Sequence, residues 1–132
     1  MKPLHVLIAE DDRHLAALLR QTLEAEGFRV TAAEDGDEAV AKADIYAPDL
    51  IILDAMMPVL DGFAVLKHLR SASRHRRIPI LMLTAMRGEA DVRRALAGGA
   101  SDYLAKPFRP DQLVQRVRRL AEARSGPVRD LP

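Results

Sequence analysis

Four consecutive apolar residues, Leu50 to Leu53, run straight into a carboxylate, Asp54, within the stretch DLIILDAMMP. An unbroken apolar run of this kind fits a strand covered by helices on both faces, which narrows the fold to sheets of the parallel type. Other runs read the same way: Leu4–Ala9, Phe28–Ala33, Ile78–Thr84 and the shorter Ser101–Ala105. Between them the apolar residues recur at helical spacing. Leu15, Leu18, Leu19 and Leu23 mark a first helix that Gly27 stops. Asp35–Ala43 forms a short second one, ended by Ala47-Pro48. Asp61-Gly62 opens a third around Phe63, Leu66 and Leu69. Val92, Ala95 and Leu96 mark a fourth, closed by Gly98-Gly99, and Pro110 opens a last one carrying Leu113, Val117, Leu120 and Ala121.

Five β-α units with right-handed crossovers give an α/β fold: a five-stranded parallel doubly wound sheet flanked by five helices. The common strand order for such a sheet is 2-1-3-4-5. Residues 1–124 are expected as one domain and 125–132, SGPVRDLP, as a linker or disordered tail. The net charge of +1 gives no general pull toward nucleic acid or a lipid surface. No cysteine is present, so thiolate metal sites and disulfides are excluded, and a reducing, cytoplasmic setting fits. The apolar runs are too short to span a membrane. The basic run Arg70–Arg77 lacks aromatic residues for stacking and falls before the fourth strand, so it reads as a solvated loop rather than a nucleic-acid surface. The histidines at 5, 14, 68 and 75 show no metal spacing and read as surface or packing residues.

In parallel α/β sheets ligands gather at the carboxyl ends of the strands. Here those ends carry Glu10, Asp11 and Asp12 after the first strand and Asp54 after the third. Thr84 ends the fourth, and Lys106-Pro107 follows the fifth. Clustered carboxylates repel one another, and a divalent cation resolves the conflict. An all-oxygen donor set favours a hard ion, Mg²⁺ or Mn²⁺. With an ammonium from Lys106 and a hydroxyl from Thr84 the set suits a phosphoryl group, for which Asp54 would be the nucleophile. Two registers of the acidic run are open. Glu10 and Asp11 form the metal pair if Asp12 starts the helix; the rival pairs Asp11 with Asp12.

At AEDD (Ala9–Asp12), LDAMMPVLDG (Leu53–Gly62), LTA (Leu83–Ala85) and DYLAKPF (Asp102–Phe108) the chain resembles the receiver domains of bacterial two-component response regulators, a flavodoxin-like family. The resemblance spans Met1 to Ala123. It implies that Asp54 accepts a phosphoryl group from a sensor histidine kinase or phosphotransfer protein. Glu10, Asp11, Asp54 and the backbone carbonyl of Met56 would hold Mg²⁺. Thr84 and Lys106 would contact the phosphoryl group, small Ala85 would leave it access, and Lys106-Pro107 would be cis. Thr84 and Tyr103 would form the switch that alters the face made by the fourth helix, fifth strand and fifth helix, through which a homodimer would form. Such a domain is not a turnover enzyme; it catalyses its own phosphorylation and a slow dephosphorylation, whose rate Met56 and Met86 would tune.

The chain departs from the winged-helix DNA-binding group of that family at two places. Ser101 stands where an acid precedes the tyrosine segment, and Gln112 where a glutamate is frequent, which weakens the salt bridges of that group's dimer face. Two other functions compete. A phosphohydrolase passing through an aspartyl phosphate would want an acid two residues after the nucleophile, where this chain has Met56. A docking module that is never phosphorylated would not need every site position filled.

Overall fold

Each apolar run becomes a short strand and each periodic segment a helix, in strict alternation, in a computed structural model that describes residues 3–85 and 88–125. The strands are β1 (His5–Ala9), β2 (Arg29–Ala33), β3 (Leu50–Asp54), β4 (Ile80–Thr84) and β5 (Asp102–Ala105). The helices are α1 (Arg13–Ala25), α2 (Gly36–Tyr46), α3 (Gly62–Ser71), α4 (Glu89–Ala97) and α5 (Pro110–Ser125). All strand pairs are parallel, in the order β2-β1-β3-β4-β5, as the sequence implies. Met86 and residues 126–132, most of the expected tail, lie outside the described residues.

Aspartates start three of the helices. Asp12 accepts from the amides of His14 and Leu15, Asp35 from Glu38 and Asp61 from Ala64, each cap contributing about 1 kcal/mol. By contrast, the N-cap of α4 is Gly88, whose residue type offers no capping side chain. Helix α2 continues past Ala43 to Tyr46, because Ala43 accepts from the amide of a left-handed Ala47 (φ 44°) and Pro48 comes only after that. Strand β4 begins at Ile80 rather than Ile78, after Pro79, which has no N–H for the ladder.

β1, β3 and β4 are buried along their full length. Their alternate residues feed two cores. Leu7, Ile51, Leu53, Ile80 and Met82 meet α2, α3 and Ala95 of α4. Val6, Ile8, Ile52, Leu81 and Leu83 meet Leu19 and Leu23 of α1 and Leu113 and Val117 of α5. Each such side chain contributes roughly 1.5–3 kcal/mol by burial. Leu18 and Leu96, which keep the helical spacing, are instead exposed on the outer faces of α1 and α4.

The registers Ala9↔Leu53, Asp54↔Leu83 and Thr84↔Ala105 bring the carboxyl ends of four strands level. One contact then fixes the loop that follows β3. Gly36, the first residue of α2, lies so close to it that a Cβ would stand 1.9 Å from the Leu60 carbonyl oxygen. Alanine at 36 would gain at most about 1 kcal/mol of backbone entropy, against about 1–3 kcal/mol for pushing Leu60 aside. Gly36→Ala is therefore expected to lower the urea midpoint; an unchanged or higher midpoint would show that the loop yields without cost.

A candidate metal centre at the carboxyl edge

Beyond Ala9 the chain stays paired to β2 for one more residue, through Glu10 N–H donating to the Ala33 carbonyl at 3.0 Å. That bond holds Glu10 at the rim of the sheet with its carboxylate buried. Glu10 Oε2 accepts from the Asp12 amide at 3.1 Å, while Asp12 spends its own Oδ1 on the first turn of α1. Asp11, between them, is exposed. Asp54 closes β3 and is 4% exposed, and its Oδ1 accepts from the Met56 amide at 3.3 Å.

Lys106 binds both acids. Its amide donates to the Thr84 carbonyl at 2.9 Å, prolonging the β4–β5 ladder, and its peptide bond to Pro107 is cis. The ammonium then reaches Glu10 Oε1 at 3.1 Å and Asp54 Oδ1 at 3.3 Å. Burial would lower its pKa, but Asp54 and Glu10 together outweigh that and raise it. On Glu10, burial is the largest influence; Asp54 adds to it, the Asp12 amide and Lys106 oppose it, and the carboxyl is pushed up to about 7.

Oxygen atoms of Glu10, Asp11 and Asp54 lie within 4.8 Å of one another. Three carboxylates against one ammonium leave an excess of negative charge in a half-buried place, and every donor is oxygen. That set fits a hard divalent cation. Of the two registers open from sequence, the cluster contains Glu10 and Asp11, while Asp12 is engaged as the cap of α1.

The loop from Ala55 to Asp61 wraps this centre. Gly62 N–H donates to the Ala55 carbonyl, and a Cβ at Gly62 would lie 2.3 Å from the Asp54 carbonyl oxygen, so α3 starts against the backbone of the acid itself. Leu60 N–H donates to the Pro58 carbonyl across Val59 (φ 70°), a tight three-residue turn at an angle β-branched residues rarely adopt. Met56, two residues after Asp54, turns its amide to the carboxylate and its side chain, 61% exposed, to solvent.

Thr84 ends β4 with 1% exposure. It keeps the alternation of Ile80 and Met82, which places it on the α3/α4 side of the sheet. Tyr103 is on that side too, half-buried against the same core. Glu10, Asp54 and Lys106 keep the alternation of Ile8, Ile52 and Leu104, on the α1/α5 side. On that side an apolar groove of about 510 Å³, lined by Leu15, Leu18, Ala85, Pro107 and Phe108, borders Lys106.

The basic segment before β4 is not the simple solvated loop expected from its charge. Arg70 and Ser71 belong to α3, His75 is 2% exposed with its Nε2–H donating to Asp44 Oδ1 at 2.7 Å, and Arg70 is half-buried among backbone carbonyls. Charge content alone carries no signal for this, because two of the partners of Arg70, Gly99 and Ser101, lie far along the chain.

Residues 6–118 match the family model described as a response regulator receiver domain. The phosphate regulon transcriptional regulatory protein PhoB of Rhizobium meliloti is 43% identical over 113 residues, covering 86% of this chain and 50% of that protein. The alkaline phosphatase synthesis transcriptional regulatory protein PhoP of Bacillus subtilis is 44% identical over 113 residues, covering 86% of this chain and 46% of that protein. The chain thus spans about half the length of the curated relatives it matches. Among solved structures, the receiver domain of the Francisella response regulator 1452 superposes with a TM-score of 0.86 at 36% identity, covering 91% of this chain and 98% of that one. The receiver domain of the Pseudomonas aeruginosa sensor histidine kinase PA1611, solved with a magnesium ion coordinated in its active site cleft, gives 0.84 at 34%, covering 90% and 98%.

A carboxyl at about 7 in the folded chain, against an ordinary 4.5, binds its proton more tightly folded than unfolded. The stability this gives is present below pH 4.5 and lost as pH rises through about 7. In EDTA the unfolding free energy of the wild type is expected to fall across that window relative to Glu10→Gln, with Mg²⁺ restoring it on the alkaline side; parallel pH profiles for the two proteins would contradict the placement of Glu10.

Proposed function

The chain belongs to the response regulator receiver family, the phosphoacceptor modules of two-component systems, and we propose that Asp54 is its acceptor carboxylate. The observation that carries this is the buried Asp54 at a strand end, bonded to Lys106 and grouped with Glu10 and Asp11. An Asp54 oxygen attacks phosphorus of a phosphohistidine on a sensor kinase or phosphotransfer protein. The N–P bond breaks, its electron pair returns to the imidazole, and an acyl phosphate remains. Water later cleaves that anhydride to carboxylate and inorganic phosphate, so the chain catalyses its own phosphorylation and dephosphorylation without turnover of an outside substrate.

Glu10, Asp11, Asp54 and the Met56 carbonyl would hold Mg²⁺, with Mn²⁺ a chemically equivalent substitute. The bound ion supplies charge neutralisation for the phosphoryl oxygens. Lys106 moves from bridging two carboxylates to pairing with the phosphoryl group, and the Thr84 hydroxyl holds another of its oxygens. With Thr84 drawn toward the phosphoryl group, Tyr103 on the same side of the sheet follows, and the face of α4, β5 and α5 changes. That face exposes Leu96 and carries Arg116 and Asp102, paired within the chain at 3.6 Å; a second copy would dock there. Among the described residues no helix is long and apolar enough to cross a membrane, and a cytoplasmic phosphodonor fits such a domain.

Asp54→Asn is expected to abolish Mg²⁺-dependent labelling by a small phosphodonor such as acetyl phosphate; mass spectrometry that found the label on another residue would refute the assignment. A bulky apolar side chain at Met56 would restrict the approach of water to the acyl phosphate. Met56→Asn should therefore shorten the phosphoryl lifetime by about tenfold, roughly 1.4 kcal/mol of barrier. Loss of label followed over time measures it, and an unchanged decay rate would remove that role.

A further inference from the structure

The ends of α4 are attached to the rest of the molecule in different ways. At its start, Glu89 and Ala90 are exposed, and Gly88 contributes no side-chain cap. The buried residue of the helix, Ala95, sits in its C-terminal half. There the Arg94 guanidinium lies 3.8 Å above the Phe63 ring of α3. Just beyond, the stem of Arg70 packs on Gly99 (φ 109°), so closely that a Cβ would stand 2.7 Å from Arg70 Cγ.

The guanidinium of Arg70 joins what would otherwise be separate pieces. Its Nε donates to the Gly99 carbonyl at 2.8 Å, one terminal nitrogen to the His75 and Arg76 carbonyls at 3.0 and 3.1 Å, and the other to Ser101 Oγ at 3.4 Å. Ser101 Oγ also accepts from the Ile80 amide at 2.9 Å. One side chain of α3 thus ties the end of α4, the loop before β4 and the starts of β4 and β5. A planar, five-donor cation can do this; a lysine can satisfy these acceptors only in part.

We propose that Arg70 is a positioning residue that fixes the C-terminal end of α4, so that a change at the carboxyl edge displaces the helix at its N-terminal end about this anchor. The proposal rests on the reading of Asp54 as phosphoacceptor. The N-terminal end follows Thr84 by a few residues, whereas Arg70 lies at the opposite edge of the sheet. Arg70 touches neither the acids nor Lys106; its part is to give the movement a fixed end.

The test is the 132-residue chain with Mg²⁺ and beryllofluoride, a phosphoryl mimic, followed by amide NMR. In the wild type the shifts should be large at Ala85 and Gly88–Val92 and fade by Gly98–Ser101. In Arg70→Ala those at Gly98–Ser101 should grow by about twofold or more, as expected for a released local unit. Exchange of the Ala100 amide should speed by about tenfold, the scale of one lost charge-assisted bond. Arg70→Lys should fall between, and it serves as the variant should the alanine fail to fold. A merely structural role would lower stability and speed exchange across the strands while leaving the gradient along α4 unchanged, and that result overturns the proposal. The acceptor reading is judged separately: wild type that does not respond to beryllofluoride defeats it, whereas labelling of Arg70→Ala by acetyl phosphate at the wild-type rate upholds it whatever the gradient shows.

Discussion

The carboxyl edge depends on one cation. Lys106 reaches Glu10 and Asp54 together, and without it two buried carboxylates would face each other in a place that water enters poorly. Its position is set by backbone, not by its own flexible stem: the amide is locked to Thr84, one residue beyond β5. The register of the sheet therefore decides the electrostatics. A slip of one residue in β4–β5 pairing would carry the ammonium to the other face and leave the acids unpaired. The same lysine cannot neutralise all three acids, and the residual negative charge is of the kind that a hard cation fits.

Much of this was legible in the sequence because its signals are local. Apolar runs that end in Glu10, Asp54 and Thr84 report both the strand and the polar residue at its end, and parallel pairing supplies the convergence. Asp12 at the start of α1 was readable only as one of two registers of the acidic run; its engagement as a cap depends on the amides of His14 and Leu15. What stayed hidden depends on neighbours far apart in the chain. Leu18 and Leu96 keep helical spacing yet face outward, because periodicity gives a face and not what covers it. The burial of His75 needs Asp44, and that of Arg70 needs Gly99 and Ser101, pairings no run of charges announces.

The departure at Ser101 has a physical counterpart. Its hydroxyl is held inside the chain by the Ile80 amide and Arg70. An acid there would bring a charge to the start of β5; serine brings a small neutral acceptor. Asp102, the next residue, pairs with Arg116 of α5, whose guanidinium also donates to the Tyr103 carbonyl at 2.6 Å. Charges on this face are thus occupied within one subunit to a degree that composition does not reveal.

The alternation of strand residues has a further meaning. Glu10, Asp54 and Lys106 belong to the layer of α1 and α5, while Thr84 and Tyr103 belong to the layer of α3 and α4, with the hydrogen-bonded sheet as a partition between them. Traffic between the two compartments has to go around the rim, where Thr84 stands. The two layers share no core side chains, so repacking of one leaves the other's buried contacts in place.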